Sequence, residues 1–262
     1  MDWRRNVFKS CSNVCKYLIA AVVLCALCFL FPYTQDDWAW GSAIGLRRLA
    51  KWFENYNGRY LGNLIVLALT RSRVLRAAVM GIAITGIIYC IERITQKRWA
   101  FTSALLGFLF MPRLITLQAV VWTSGFSNYV TSAFLTLVFF VYLNEHRPEE
   151  NCRVSFMTCI FLAVLGLCNT LIVEHLTVFH VIISVFLFVY SYRILKKIRT
   201  DYLIYMFGTI TGAFYMLSNS AYHFMDSNPD GYTHVASDGL VLRALKNYFG
   251  MIYHEGYYNN HV

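Results

Sequence analysis

Seven apolar stretches, separated by short polar turns, leave this chain few ways to fold. They are Tyr17 to Phe31, Val74 to Ile91, Trp99 to Met111 and beyond, Tyr129 to Leu143, Phe156 to Leu171, Leu176 to Tyr190 and Tyr202 to Leu217. Several approach or exceed the roughly 18 residues that mark a membrane-spanning helix. Soluble domains carry roughly 25% charged residues. Here the share is 14%, and 58% of the residues are hydrophobic. The expected fold is all-α: a polytopic transmembrane helical bundle of about seven spans, with a helical extracytoplasmic first loop.

One further apolar stretch decides the topology. Tyr60 to Thr70 is only 11 residues long, about 16 Å as a helix against a hydrocarbon core of about 30 Å. It is expected as a surface or re-entrant helix on the outer side. That choice puts 13 of the 23 Lys and Arg residues in the cytoplasm, whereas letting the stretch cross leaves 10 there. The positive-inside rule prefers the first arrangement, with the basic run Arg193 to Arg199 as its strongest local sign. Arg4, Arg5, Lys9 and Lys16 precede the first run as in a signal peptide, but Phe31-Pro32-Tyr33 follows instead of a small-residue cleavage site. The first run is therefore read as a retained span.

The formal net charge of +9 reads as positive-inside bias and contact with lipid headgroups. The basic residues are scattered among the spans, which excludes a nucleic-acid-binding module. The eight cysteines form no disulfide framework. Cys25-x-x-Cys28 has redox spacing but lies inside the first span, where small apolar helix residues are the simpler reading. There is no internal repeat. The chain reads as one membrane-embedded domain over 1–262: an anchor at 1–33, an outer loop with surface helices at 34–73, six further spans at 74–217 and an outer segment at 218–262. That last segment carries a turn at Asn228-Pro229-Asp230-Gly231. It ends without a further span, and the chain is expected to be a piece of something longer.

Asp36 and Asp37 stand out. They follow the first span directly, beside Trp38 and Trp40, where a soluble core gives no reason for two adjacent acids. Ile44 to Phe53 then alternates apolar and basic residues as a helix lying on a membrane surface does. Other polar residues converge on the same expected face: Asn57, Arg59 and Asn63; Arg71, Arg73 and Arg76; Arg113; Trp122 and Asn128; Glu174 and His175. Asn169, His223 and Asp226 also fall on this face. Each has a simpler reading. Single arginines anchor headgroups, and tryptophans form interfacial belts. Glu174 and His175 resist that reading, because ionisable groups beside spans are rare and usually paired or functional.

Together these groups suit a lipid-phosphate substrate. Arginines fork onto phosphate oxygens. A carboxylate at the same face serves as a general base toward an acceptor hydroxyl. A neighbouring carboxylate raises its pKa, and a nearby cation opposes that rise. Asn and Trp offer hydrogen bonds and an apolar platform to a sugar. Leaving-group chemistry on such a substrate needs no nucleotide. Asp36, Asp37, Glu174, His175 and Asp226 are hard ligands that suit a divalent metal, although their spacing does not select one.

The Asp36-Asp37-Trp38 motif and Tyr56-Asn57-Gly58-Arg59-Tyr60-Leu61-Gly62-Asn63 resemble the GT-C superfamily of integral-membrane, polyprenyl-phosphate-dependent glycosyltransferases, in particular an uncharacterised bacterial branch. In that superfamily a first span leads to an outer loop with an acidic motif and surface helices. The resemblance implies inverting transfer of a sugar from a polyprenyl-phosphate carrier to a glycan, lipid or protein acceptor. It also implies a plasma-membrane location with the active face outside, and it makes Asp36 or Asp37 the catalytic base. Two departures stand beside it: members usually have more than seven spans, and many carry a C-terminal outer domain. Two other classes compete. One is a transporter or flippase of a lipid-linked intermediate, for which only Pro112-Arg113 hints at a broken helix. The other is a non-catalytic membrane component of a surface-polymer assembly machine.

Overall fold

The computed structural model describes residues 2–146 and 154–222. Arg147, Cys152, Arg153, His223, Asp226 and the Asn228-Pro229-Asp230-Gly231 turn lie outside the described residues. Among those described there is no strand. The helices are α1 (Asp2–Phe29), α2 (Asp37–Gly41), α3 (Ala43–Ala50), α4 (Tyr60–Leu69), α5 (Arg73–Thr95), α6 (Ala100–Leu109), α7 (Arg113–Ile115), α8 (Thr123–Gly125), α9 (Thr131–Glu145), α10 (Phe156–Thr170), α11 (Glu174–Arg193) and α12 (Thr200–Leu217). Two π-helical turns, Thr116–Val121 and Phe126–Val130, continue α7 and α8.

Two sets of contacts define opposite ends of the bundle. At one end Lys16 Nζ donates to both Glu92 oxygens (2.6 and 2.9 Å), Arg93 pairs with Glu145, and Tyr142 donates to Asp201 (3.0 Å). At the other end Arg73 Nε donates to the Phe29 carbonyl (2.8 Å), Thr123 meets Asp37, and Asn219 reaches Phe53. The long helices run between these ends in alternating directions. Helix α4 does not. Its first turn is tied to the α10–α11 turn through Leu61 N donating to Leu171 O (3.0 Å), and its far end meets Gly41 beside α2. It therefore lies across the Asp37 end, as expected of an apolar helix too short to cross.

Three helical stretches are long and apolar enough to cross a membrane: Arg73–Thr95, Thr123–Glu145 and Glu174–Arg193. A fourth is made by Ala100–Leu109 with Arg113–Val121 if the two cross as one, bent by 84° at their break. The bend falls at Pro112, which lacks an N–H and disfavours helix in the residue before it. The expected span Tyr202 to Leu217 is found as α12, 18 residues long but not among the helices apolar enough to cross, and the other two expected spans are short. Val14–Phe29 and Phe156–Thr170 reach about 24 and 22 Å against a core of about 30 Å. The expected surface helix at Ile44 to Phe53 is found as Ala43–Ala50. It is opened by the Ser42 hydroxyl, which accepts from Ile44 N (3.1 Å).

Small residues let the helices approach closely. A Cβ at Gly208 of α12 would meet the Ala163 carbonyl, and one at Gly166 of α10 would meet the Tyr205 carbonyl at 2.7 Å. These two helices touch backbone to backbone, as membrane helices do where apolar burial gives no preference for protein over lipid. The same core holds a buried polar chain across four helices. Asn169 Nδ2 donates to Tyr205 OH (3.1 Å), which meets His180 Nδ1 (2.8 Å), and His180 Nε2 meets Thr136 Oγ1 (2.9 Å). All but Thr136 are at most 1% exposed. Directional bonds of this kind fix the rotation of each helix about its axis.

Candidate functional site

The two adjacent acids have different surroundings. Asp37 is 1% exposed. Its Oδ2 accepts from Thr34 N (3.1 Å), Thr123 N (3.2 Å) and Thr123 Oγ1 (2.9 Å), and its Oδ1 accepts from Ser124 N (3.3 Å). The carboxylate thus caps the start of the Thr123–Glu145 helix, where free N–H groups and the helix dipole favour a negative charge. Asp36 is half-buried. Its Oδ1 accepts from Trp122 Nε1 (2.8 Å) and Ser124 Oγ (2.9 Å), and its Oδ2 accepts a longer bond from Trp40 Nε1 (3.2 Å). Two indoles and a hydroxyl hold this carboxylate in one orientation and leave it part of its surface. Four donors occupy most of the Asp37 carboxylate.

A cleft of about 280 Å³ opens beside them, lined by Tyr33, Asp37, Trp38, Gly41, Ser42 and Thr70. Asp37 backs this cleft but offers it little surface. On the other side of Asp36 stands a cluster of cations and rings. The Arg48 guanidinium lies over the rings of Trp40 (4.7 Å) and Tyr56 (4.1 Å), and its Nη1 is buried without a hydrogen-bond partner. Burial pushes the Tyr56 phenol up, opposed by the charges of Arg48 and Arg59 and reinforced by that of Asp36. Tyr56 is therefore the neutral ring around which one acid and two bases gather.

Arg59 forks onto Glu174, with its Nε at 2.9 Å from both carboxylate oxygens and its Nη2 at 2.9 Å from Oε2. Both side chains remain 32% exposed. Asn57 Oδ1 accepts from Arg59 N (3.1 Å) and from Asn63 Nδ2 (2.8 Å), closing the turn that starts α4. Asn128 Oδ1 faces Gly62, where a Cβ would come within 2.6 Å of it. The three arginines before and within α5 all cap backbone. Arg71 donates to the carbonyls of Gly41 (2.8 Å), Trp40 (3.4 Å) and Ser42 (3.5 Å), which closes α2. Arg73 closes α1 and covers the Phe29 ring. Arg76, fully buried, donates to the carbonyls of Phe31 (2.5 Å) and Pro32 (3.2 Å) and lies over the Tyr33 ring.

Of the residues singled out from sequence, the fold brings Asp36, Asp37 and Trp122 into one bonded cluster, with Arg76 attached to it through Thr123. It brings Asn57, Arg59, Asn63, Asn128 and Glu174 into a second, adjoining one. Trp38, 68% exposed, packs against Tyr33. Arg113 and His175 are exposed and join neither cluster. Sequence reasoning gave Trp40, Arg48, Tyr56, Thr123, Ser124 and Asn219 no binding or catalytic role of their own. Arg48 carried a signal, being the cation of the surface helix that faces back along the chain toward Trp40. Asn219 carried only its expected place on the outer face after the last span. Its Nδ2 lies 3.2 Å from Phe53 O, 3.1 Å from Asn57 O and 3.0 Å from Tyr60 OH, which holds the loop between α3 and α4 against the end of α12. That loop is strained, with Trp52, Phe53 and Asn55 at φ of 49°, 59° and 57°, a region that bulky residues rarely adopt. Among the described residues no three carboxylate, imidazole or thiol groups gather as they would to hold a metal ion.

Compared with known protein families, curated proteins and solved structures, the chain matches none.

Proposed function

We propose that the chain is a membrane glycosyltransferase of GT-C type that moves a sugar from a polyprenyl-phosphate carrier to a surface glycan, lipid or protein acceptor. In this reading it crosses the plasma membrane seven times, with the broken α6–α7 segment as one traverse. The Asp36 end faces outward. The observation that carries the reading is the contrast between the two acids: Asp37 is enclosed by four donors, while Asp36 is held by side chains, keeps part of its surface open and acts on the same Tyr56 ring as Arg48 and Arg59.

Asp36 takes the proton of the acceptor hydroxyl. The acceptor oxygen then bonds to the anomeric carbon as the bond to the carrier phosphate oxygen breaks. The phosphate leaves with the electron pair, and the configuration inverts. Arg48 is the cation placed to meet the departing phosphate, and Arg59 joins it by loosening its fork from Glu174. Trp40 and Trp122 hold the base in place through their indole N–H groups.

The test is the sugar composition of surface polymers in cells lacking the protein, complemented with the native chain or with Asp36→Asn. The native chain restores a missing sugar, and Asp36→Asn, inserted to the same level, does not. Restoration by both would end the reading. A transporter reading draws on the 84° break at Pro112. Translocation of a lipid-linked sugar by the purified chain in vesicles, without transfer, would support it instead.

A further inference from the structure

At the Lys16 end of the bundle, away from Asp36, α1, α5 and α9 leave a lateral groove of about 520 Å³. Its walls include Tyr17, Leu18, Ala21, Gly86, Tyr89 and Phe134, and apart from the tyrosine hydroxyls and Thr85 it is apolar throughout. Thr85 turns its hydroxyl away, donating to the Gly81 carbonyl (2.8 Å). The groove exists because α1 and α9 both lean on α5 but do not meet above Gly86, where a Cβ would collide with the Phe134 ring. Its rim residues point outward, with Leu18 59% and Ile82 60% exposed. In a membrane-embedded chain such a surface faces hydrocarbon.

The mouth of the groove is polar and ordered. Tyr17 and Tyr89 meet edge to face there with centroids 5.3 Å apart, and Tyr17 OH donates to Glu92 (2.8 Å). Lys16 stands over the Tyr17 and Phe101 rings. Glu92 and Glu145 engage Lys16 and Arg93, which leaves Lys97 and Arg98, both exposed, without an ion-pair partner among the described residues. An apolar slot ending under tyrosine hydroxyls, with surplus cations above, matches a phospholipid: one acyl chain in the slot and an anionic headgroup at the basic rim.

We infer that this groove is a binding site for one acyl chain of an anionic phospholipid, whose phosphate is drawn by Lys97 and Arg98. The site lies at the end of the bundle opposite Asp36, so its occupant is not the sugar donor. The inference rests on membrane embedding alone and does not depend on the transferase reading.

The experiment uses the purified full chain, delipidated and then titrated with phosphatidylglycerol or phosphatidylcholine in mixed micelles, and read by native mass spectrometry and by melting temperature. Phosphatidylglycerol is expected to stay bound through detergent washing and to raise the melting temperature more than phosphatidylcholine. Ala21→Phe, which fills the slot, abolishes the retained adduct and the shift while the lipid-free melting temperature holds. Lys97→Glu with Arg98→Glu keeps an adduct but removes the preference for the anionic lipid. Equal retention of both lipids by the native chain would overturn the inference. So would an undiminished adduct in Ala21→Phe, or a second polypeptide copurifying in place of lipid.

Discussion

Asp37 and Arg76, both buried at the same end of the bundle, never touch; the hydroxyl of Thr123 stands between them. Its Oγ1 donates to Asp37 Oδ2 at 2.9 Å and accepts from Arg76 Nη1 at 3.4 Å. The acid otherwise accepts from backbone N–H groups and the base donates to the carbonyls of Phe31 and Pro32, while Arg76 Nε stays buried without a partner. The pair is thus a bolt that fastens the exit of α1 to the start of the Thr123–Glu145 helix.

Thr123→Val keeps the shape and removes the shared hydroxyl. One bond to each buried ion is lost, which costs about 2 kcal/mol of stability. Arg76→Met alone leaves Asp37 without its counter-charge and costs about 3–5 kcal/mol. The loss for Arg76→Met with Asp37→Asn falls short of the sum of the two single losses, because the sites are coupled. Thermal unfolding in one detergent measures all four variants.

The proposed roles of the two acids predict different variants. Asp36→Asn leaves the melting temperature within a few degrees of the native chain and lowers sugar transfer by about two to four orders of magnitude. Asp37→Asn points an amide N–H₂ at donors it cannot accept from. It lowers the melting temperature before any effect on transfer is read. If the two variants behave alike in both assays, the division of labour between them is wrong.

Asp201 gives the chain an acid-sensitive joint. Burial pushes its carboxyl up, but the Arg199 fork (3.1 and 2.7 Å) and the Tyr142 hydroxyl outweigh that and hold it below its ordinary value of 3.8. The Arg199 guanidinium, raised chiefly by the same bond, stays charged. A carboxyl whose folded pKa lies below its unfolded one contributes stability in full above the unfolded value and loses it as pH falls toward the folded one. The melting temperature is therefore expected to be flat above about pH 5 and to fall below it. Asp201→Asn begins lower and falls less steeply on that side. An unchanged acid slope would contradict this assignment.

Gly62 admits a side chain only if a neighbour shifts. Gly62→Ala sets a methyl within 2.6 Å of Asn128 Oδ1 and 3.4 Å of the Ile172 carbonyl. Either α4 lifts from the bundle or Asn128 turns away, at a cost of about 1–3 kcal/mol. Protease cleavage between α3 and α4 should speed up in the variant, and an equal cleavage rate would show that the site tolerates the methyl.

Much of the helical layout was legible, because apolar runs and the charges between them are one-dimensional signals. Tyr60 to Thr70 was recognisable from the sequence as an apolar helix shorter than a span. The pairing of Asp36 with Trp122 was not legible, since 86 residues separate them and nothing local marks an indole as a carboxylate's donor. The arginines show a subtler limit. Arg71, Arg73 and Arg76 were noticed for their charge, but the fold uses all three to close carbonyls that helix ends leave open. The sequence marks where a guanidinium stands; only the packing decides which oxygens it finds. Arg48 was assigned to lipid because its helix is amphipathic, and the turn that folds Tyr56 back over it lies in a strained loop with no sequence signature.

Asn219 follows α12, yet it clamps Phe53, Asn57 and Tyr60, the last of them 159 residues earlier in the chain. A nascent chain is made from one end, so the loop carrying Arg48 and Tyr56 waits through the synthesis of every later helix before its clasp arrives. The Asp36 end is thereby fastened late: a chain halted before α12 has its early helices but leaves the loop around Tyr56 without the Asn219 clasp.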